Sequence, residues 1–225
     1  MALTAIIPAA GKGTRMGSPV EGKELMIDPI SGRPLIDYAI LAAEDVGATR
    51  IVVAIEQGTK PQLQEYIRAT FPQVYIHLGK QEGEWPSTVL QTIDHWDDHD
   101  NVLILPDTRY NVQELHHLVT KHADTSDHIT YALLPGNVME PEKYGVVYLH
   151  EVSDQPLWTE EKPQDVNWPN IAAWGLIAFN KQRGQELMEA YTVRGRTYPL
   201  STLSVGTMYL SWFKDITRNG YVETY

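Results

Sequence analysis

Short apolar runs alternate along the first 140 residues with stretches whose apolar residues recur every three or four positions. "TAIIPAA" (4–10), "RIVVAIE" (50–56), "QVYIHLG" (73–79), "NVLILPD" (101–107) and "ITYALLPG" (129–136) are each too short for a helix of ordinary length, and they read as buried strands. Between them, "PLIDYAILAAEDVGA" (34–48) sets Leu35, Ile36, Ala39, Ile40 and Ala43 on one helical face, with Gly47 suited to its end. "KPQLQEYIRATF" (60–71) does the same with Leu63, Tyr66, Ile67 and Phe71. "STVLQTIDHW" (87–96) carries Val89, Leu90, Ile93 and Trp96 at helical spacing, and "VQELHHLVTKHA" (112–123) is helical again. This β-α-β-α rhythm predicts an α/β fold: a Rossmann-like, mainly parallel sheet flanked by helices.

The pattern changes after residue 140. "YGVVYL", "PLWTEEKP" and "AAWGLIAFN" are strand-like pieces separated by loops, "KQRGQELMEAY" is helical, and "TMYLSWFKDI" is strand-like. A β-rich C-terminal elaboration of a single domain accounts for this. The chain's 225 residues suit one domain with a sizeable core. Its net charge of −11 argues against a nucleic-acid surface, yet leaves room for a small phosphate site. Without cysteine there is no disulfide, thiolate metal site or cysteine nucleophile. The start lacks the pattern of a signal peptide and no apolar run approaches the ~20 residues of a membrane span, so a cytoplasmic protein with no membrane partner is expected.

The candidate chemistry begins where the first strand ends. "AAGKGTR" (9–15) puts glycines and cations at the strand's carboxyl end, the edge where open parallel sheets bind ligands. Such a turn lets backbone N–H groups close on an anion, and Arg15 adds a planar donor fork for phosphate. It is neither a P-loop, since Gly-Lys-Ser/Thr is missing, nor the dinucleotide fingerprint, whose third glycine is misplaced here.

"AIIPAAGKGTRMG", followed by "GKELMIDPISGRPLIDYAI", resembles the N-terminal signature of the sugar-1-phosphate nucleotidylyltransferases, nearest to the UDP-glucose and dTDP-glucose pyrophosphorylases. In the family's order follow "LILPDT" (103–108), "EKYGVVYL" (142–149), "EEKP" (160–163) and "WFKDITRNGYVETY" (212–225), the last resembling a W-x-D-x-G-T passage with a terminal helix. The resemblance implies an Mg²⁺-dependent enzyme that condenses UTP or dTTP with a sugar-1-phosphate. It implies a nucleotide-binding part over 1–140 and a sugar-phosphate-binding part over 141–225, and it is compatible with a homo-oligomer. Carried residue by residue, it assigns the nucleotide to Ala10, Gly11, Gly13, Thr14, Arg15 and Gln81. The sugar phosphate falls to Tyr144, Gly145, Glu161 and Lys162; the Trp and Tyr residues of the C-terminal half read as core, with Trp174 and Trp158 candidates to flank the sugar. Arg15, Lys23, Asp107 and Lys162 are the implied catalytic set, and Asp107 and Asp215 the implied Mg²⁺ ligands.

The chain departs from the family pattern in three places. Gly22 stands for the proline before the loop lysine, and the stretch from Arg15 to Lys23 is compact, as in cytidylyltransferases. Trp85, Pro86 and Ser87 stand where small residues line the base pocket. Two other readings therefore stay open: a cytidylyltransferase acting on another phosphorylated substrate, and a non-catalytic family member that binds a nucleotide or nucleotide sugar. Read without the resemblance, "TEEKPQD" is a charged loop, Asp107 a helix cap and Asp215 the cap of a terminal helix. His95, His99, His116, His117 and His122 read as a surface cluster.

Overall fold

The computed structural model describes residues 2–11, 22–28, 30–80, 85–125, 128–134, 138, 140–193, 197–201, 203–211, 213–215 and 222–224, the last two stretches by their backbone. In chain order the elements are β1 (Leu3–Pro8), α1 (Leu35–Asp45), β2 (Arg50–Glu56), α2 (Pro61–Thr70), β3 (Tyr75–Gly79), α3 (Trp85–Leu90), β4 (Asp100–Ile104), β5 (Thr108–Arg109) and α4 (Val112–Thr125). Then come β6 (Ile129–Leu133), β7 (Gly145–Leu149), β8 (Pro156–Glu161), β9 (Ile171–Phe179), α5 (Lys181–Tyr191), β10 (Tyr198–Pro199), β11 (Val205–Tyr209), β12 (Phe213–Asp215) and β13 (Val222–Thr224).

The first four major strands run parallel in the order β3-β2-β1-β4. β9 enters antiparallel beside β4 and carries β6 on its other side, and β11 continues parallel to β6. The start of β9 also pairs with β7, which pairs in turn with β8 and β10. One long strand thus joins the parallel sheet to the antiparallel elaboration expected after residue 140.

β1, β2 and β4 are buried on both faces, which is why they are near-continuous apolar runs rather than alternating ones. Alternate residues face opposite helix layers. Ala5, Ile7, Val53, Ile55, Val102 and Ile104 pack with residues of α1, α2 and α4. Ile6, Leu103, Tyr131 and Ile177 pack with Val89 of α3 and Leu187 and Met188 of α5. Each fully buried aliphatic side chain of this kind contributes about 1.5–3 kcal/mol.

Two predicted elements differ. The helix expected over 87–96 is only Trp85–Leu90, with a single 3₁₀ turn at Ile93–His95. Side chains add competing bonds to the backbone there. Gln91 bonds both backbone groups of Lys80 at the end of β3, and the Thr92 hydroxyl donates to Val89 O at 2.7 Å. His95 and His99 therefore share no helix. The terminal helix is also corrected, because Val222–Thr224 is a strand paired antiparallel with β12. β-Branched Val222 and Thr224 suit that ribbon. Asp215 lies inside β12, paired on both sides, and caps no helix at 222–224.

Candidate active site

The carboxyl ends of β1 and β4 are neighbours, because the two strands pair in parallel from Leu3↔Asp100 to Ile6↔Leu103. Whatever follows each strand meets at that edge. After β1 come Ala9, Ala10 and Gly11; after β4 come Leu105, Pro106 and Asp107. Asp107 is 8% exposed. Its carboxylate accepts from the Nζ of Lys23, which stands at the start of the 3₁₀ turn Lys23–Leu25. The structure therefore brings together Gly11, Lys23 and Asp107 from three separate motifs. Gly13, Thr14, Arg15 and Gln81 lie outside the described residues.

Asp215 comes to the same edge by backbone pairing. β12 runs antiparallel to β5, with Asp215 opposite Thr108 and Lys214 opposite Arg109. The second acid is thus set against the residue that follows the first. β5 is itself tied down. The Arg109 guanidinium approaches Asp28 Oδ2 at 3.7 Å and lies 5.1 Å above the Tyr38 ring. Burial alone would raise the Asp28 carboxyl, but donors from Tyr38, the Ile30 N–H and Ser31, together with Arg109, hold it below its ordinary value.

A second group forms on the antiparallel strands. Glu161 ends β8, and its Oε1 accepts from Trp85 Nε1 at 3.0 Å and lies 3.4 Å from Lys162 Nζ. Lys162 holds a left-handed backbone (φ 50°) with its N–H on Tyr144 O at 2.9 Å. A non-glycine residue in that region costs energy, so the surrounding structure must enforce it. Gly145 opposes Glu161 in register, and a Cβ there would stand 1.8 Å from Trp174 Nε1 and 2.7 Å from Glu161 Oε2. Only glycine fits. Trp174 stacks with Tyr191 and meets Trp85 edge to face. Among the described residues its buried Nε1 has no hydrogen-bond partner. Tyr144, Gly145, Glu161 and Lys162, assigned by the resemblance, and Trp174, a candidate to flank the sugar, are therefore joined by contacts or register. Trp158 belongs to a different cluster, stacking on Tyr148 and meeting Trp168.

Tyr110 links the two groups. The Leu105 N–H donates to its hydroxyl at 3.1 Å, and that hydroxyl donates to Gly175 O at 3.2 Å, clamping the end of β4 to β9. Trp85 forms a second link, reaching from the segment after Gln81 to Glu161. The largest side chain that departs from the family pattern thus packs among residues assigned to the sugar.

Sequence reasoning passed over Lys60 and Glu24. Lys60 is 2% exposed and Glu24 0% exposed, and they pair at 2.9 Å beneath the glycine turn. Their signals were in the chain: a lysine before a helix-starting proline, where a capping acceptor is usual, and a charge in a turn that must pack. Among the described residues no group of three metal-ligating side chains converges. No helix of those residues is long and apolar enough to cross a membrane.

The model of the nucleotidyl transferase family matches residues 4–209. The UTP–glucose-1-phosphate uridylyltransferase AglF of Haloferax volcanii is 26% identical over 182 residues, covering 79% of this chain and 72% of AglF. The bifunctional protein GlmU of Staphylococcus epidermidis is 27% identical over 185 residues, which span 79% of this chain but 39% of GlmU. The fold superposes on UTP-bound UGPase from Acinetobacter baumannii with a TM-score of 0.70 at 16% identity, covering 97% of this chain and 90% of that one.

Proposed function

Because the chain belongs to the nucleotidyl transferase family, we propose that it joins a nucleoside triphosphate to a sugar-1-phosphate and releases pyrophosphate. The observation that carries this reading is the meeting of Lys23 with Asp107 at the edge where β1 and β4 end. Likeness to AglF supports UTP as the nucleotide, with dTTP the close alternative.

An oxygen of the sugar's phosphate attacks the α-phosphorus. The new P–O bond forms as the bond to the α–β bridging oxygen breaks, and that oxygen leaves with the electron pair on pyrophosphate. The attacking oxygen is already ionised, so no proton need move. Both reactants are anions, and the protein's work is alignment and charge neutralisation.

Lys23 and Arg15 supply positive charge to the triphosphate, and the amides near Ala10 and Gly11 approach it closely. Lys162 pairs with the sugar's phosphate. Glu161 accepts from sugar hydroxyls while Trp85 and Lys162 hold its other oxygen, and the Trp174 Nε1 donor meets a sugar oxygen. Mg²⁺ suits the donor set: Asp107 offers hard carboxylate oxygens, and backbone pairing sets the second acid, Asp215, opposite the neighbouring Thr108. These two residues would hold the ion, which when bound supplies positive charge to the phosphates. Synthesis from water-soluble phosphates fits a cytoplasmic protein.

The test is a pyrophosphate-release screen of UTP, dTTP, CTP, ATP and GTP against sugar-1-phosphates with Mg²⁺. Release that requires both partners supports the proposal and names the base. Nucleotide binding without release across the panel would leave a binding protein instead.

A further inference from the structure

The Lys60 ammonium is the centre of a buried knot at the foot of the glycine turn. It donates to Ala9 O at 2.6 Å, to Gly11 O at 2.6 Å and to Glu24 Oε1 at 2.9 Å. Lys60 precedes α2 in a left-handed conformation (φ 51°), the geometry that lets its stem run beneath the end of β1. Its two carbonyl acceptors belong to the chain leaving β1. Its carboxylate partner lies just past Gly22 and Lys23, where the chain returns to the sheet. Gly22 is fitted to this knot: its φ is +85°, and a Cβ there would stand 2.1 Å from Glu24 Oε2 and 3.3 Å from the Lys60 stem.

We infer that Lys60 is a positioning residue for nucleotide binding: it draws the carbonyls of Ala9 and Gly11 inward so that the turn presents amides, not carbonyls, to the phosphates. In a trans peptide C=O and N–H point to opposite sides. Ala9 O is held on Lys60, so the Ala10 N–H is turned the other way, toward the open side of the sheet edge. A carbonyl turned outward there would repel the phosphate that an amide would bind. Lys60 itself is buried and touches no substrate. Its charge is balanced by Glu24, which fixes both ends of the turn to a single point and sets Lys23, the residue before Glu24, beside Asp107.

The inference rests on the nucleotide reading and deepens it. The experiment compares wild-type protein with Lys60→Met and with Lys60→Met/Glu24→Leu. Three quantities are read: the thermal midpoint, the affinity for UTP, dTTP and CTP by calorimetry, and the KM for the sugar phosphate. Lys60→Met leaves Glu24 buried and uncompensated, so its midpoint falls. The double variant removes the stranded charge and regains much of that midpoint. A merely structural pair would then regain nucleotide affinity as well. The inference expects the double variant to stay weaker for nucleotide by about tenfold, the effect of losing one or two preorganised hydrogen bonds, with the sugar-phosphate KM within about twofold.

Recovery of nucleotide affinity along with the midpoint overturns the inference, and so does an equal loss toward both substrates. If the double variant does not fold, Lys60→Gln decides, because its shorter side chain withdraws the ammonium that holds both carbonyls. Weaker nucleotide affinity at unchanged sugar-phosphate KM supports the inference; unchanged affinity, or equal loss toward both substrates, overturns it. Wild-type protein that binds none of the three nucleotides overturns the nucleotide reading itself, an outcome separate from any difference between variants.

Discussion

The proposed site divides its residues between two anions, and the division can be measured. Lys162 sits with Glu161 at the end of β8, whereas Lys23 pairs with Asp107 after β4. Lys162→Ala is expected to raise the KM for the sugar phosphate by about tenfold or more, the scale of losing one charge-assisted hydrogen bond. Calorimetry with nucleotide alone should show unchanged affinity. Loss of nucleotide affinity would move "EEKP" into the nucleotide site. Gly145→Ala makes the steric version of the same point, since its Cβ has no room beside Trp174 and Glu161. It should impair the sugar phosphate far more than the nucleotide, and equal impairment of both would count against the separation.

Between elements, the pairing of β5 with β12 matters most for chemistry. It sets Asp215 opposite Thr108, one residue from Asp107, although 108 positions separate the two acids in the chain. If they hold one ion together, Asp107→Asn and Asp215→Asn should each lower kcat by about 10²–10³, and the double variant should be little worse, because groups acting as a unit are not additive. Losses that multiply would assign the acids separate roles. On the edge strand β3, His77 meets the ring of His95 at 5.8 Å, and the Tyr75 ring lies tilted 4.2 Å from His95. Burial first, then the neighbouring imidazole for His77 and Arg50 for His95, pull both histidines below 6.5. The folded state therefore resists their protonation. This contribution to stability is whole above pH 6.5 and is lost as pH falls through the folded values. Thermal melts from pH 8 to pH 5 should show a falling midpoint, and His77→Gln/His95→Gln should flatten the slope. An unchanged slope would remove these rings from the account.

Across the whole molecule, what was legible in the sequence was whatever a local period or motif could carry. β1, β2 and β4 were legible because both their faces are buried, and their runs are therefore almost wholly apolar. Lys23 with Asp107 and Gly145 with Glu161 were legible only through resemblance, since nothing in the spacing of 23 and 107 says that β1 and β4 are neighbours. The pairing of Lys60 with Glu24, the Tyr110 clamp and the reach of Trp85 to Glu161 were not legible. Each joins residues 36 to 76 positions apart through side-chain contacts that only the fold creates. The end of α3 was misread because the Gln91 and Thr92 side chains compete with a helix whose apolar period continues. If the site transfers a nucleotidyl group from a triphosphate to a sugar phosphate, phosphorus NMR of wild-type protein mixed with Mg²⁺, the preferred triphosphate and a sugar-1-phosphate should show a nucleoside-diphosphate sugar and pyrophosphate appearing in equal amounts, with Asp107→Asn slowing both alike. Orthophosphate released by hydrolysis, or a triphosphate that stays intact while bound, would refute the transfer.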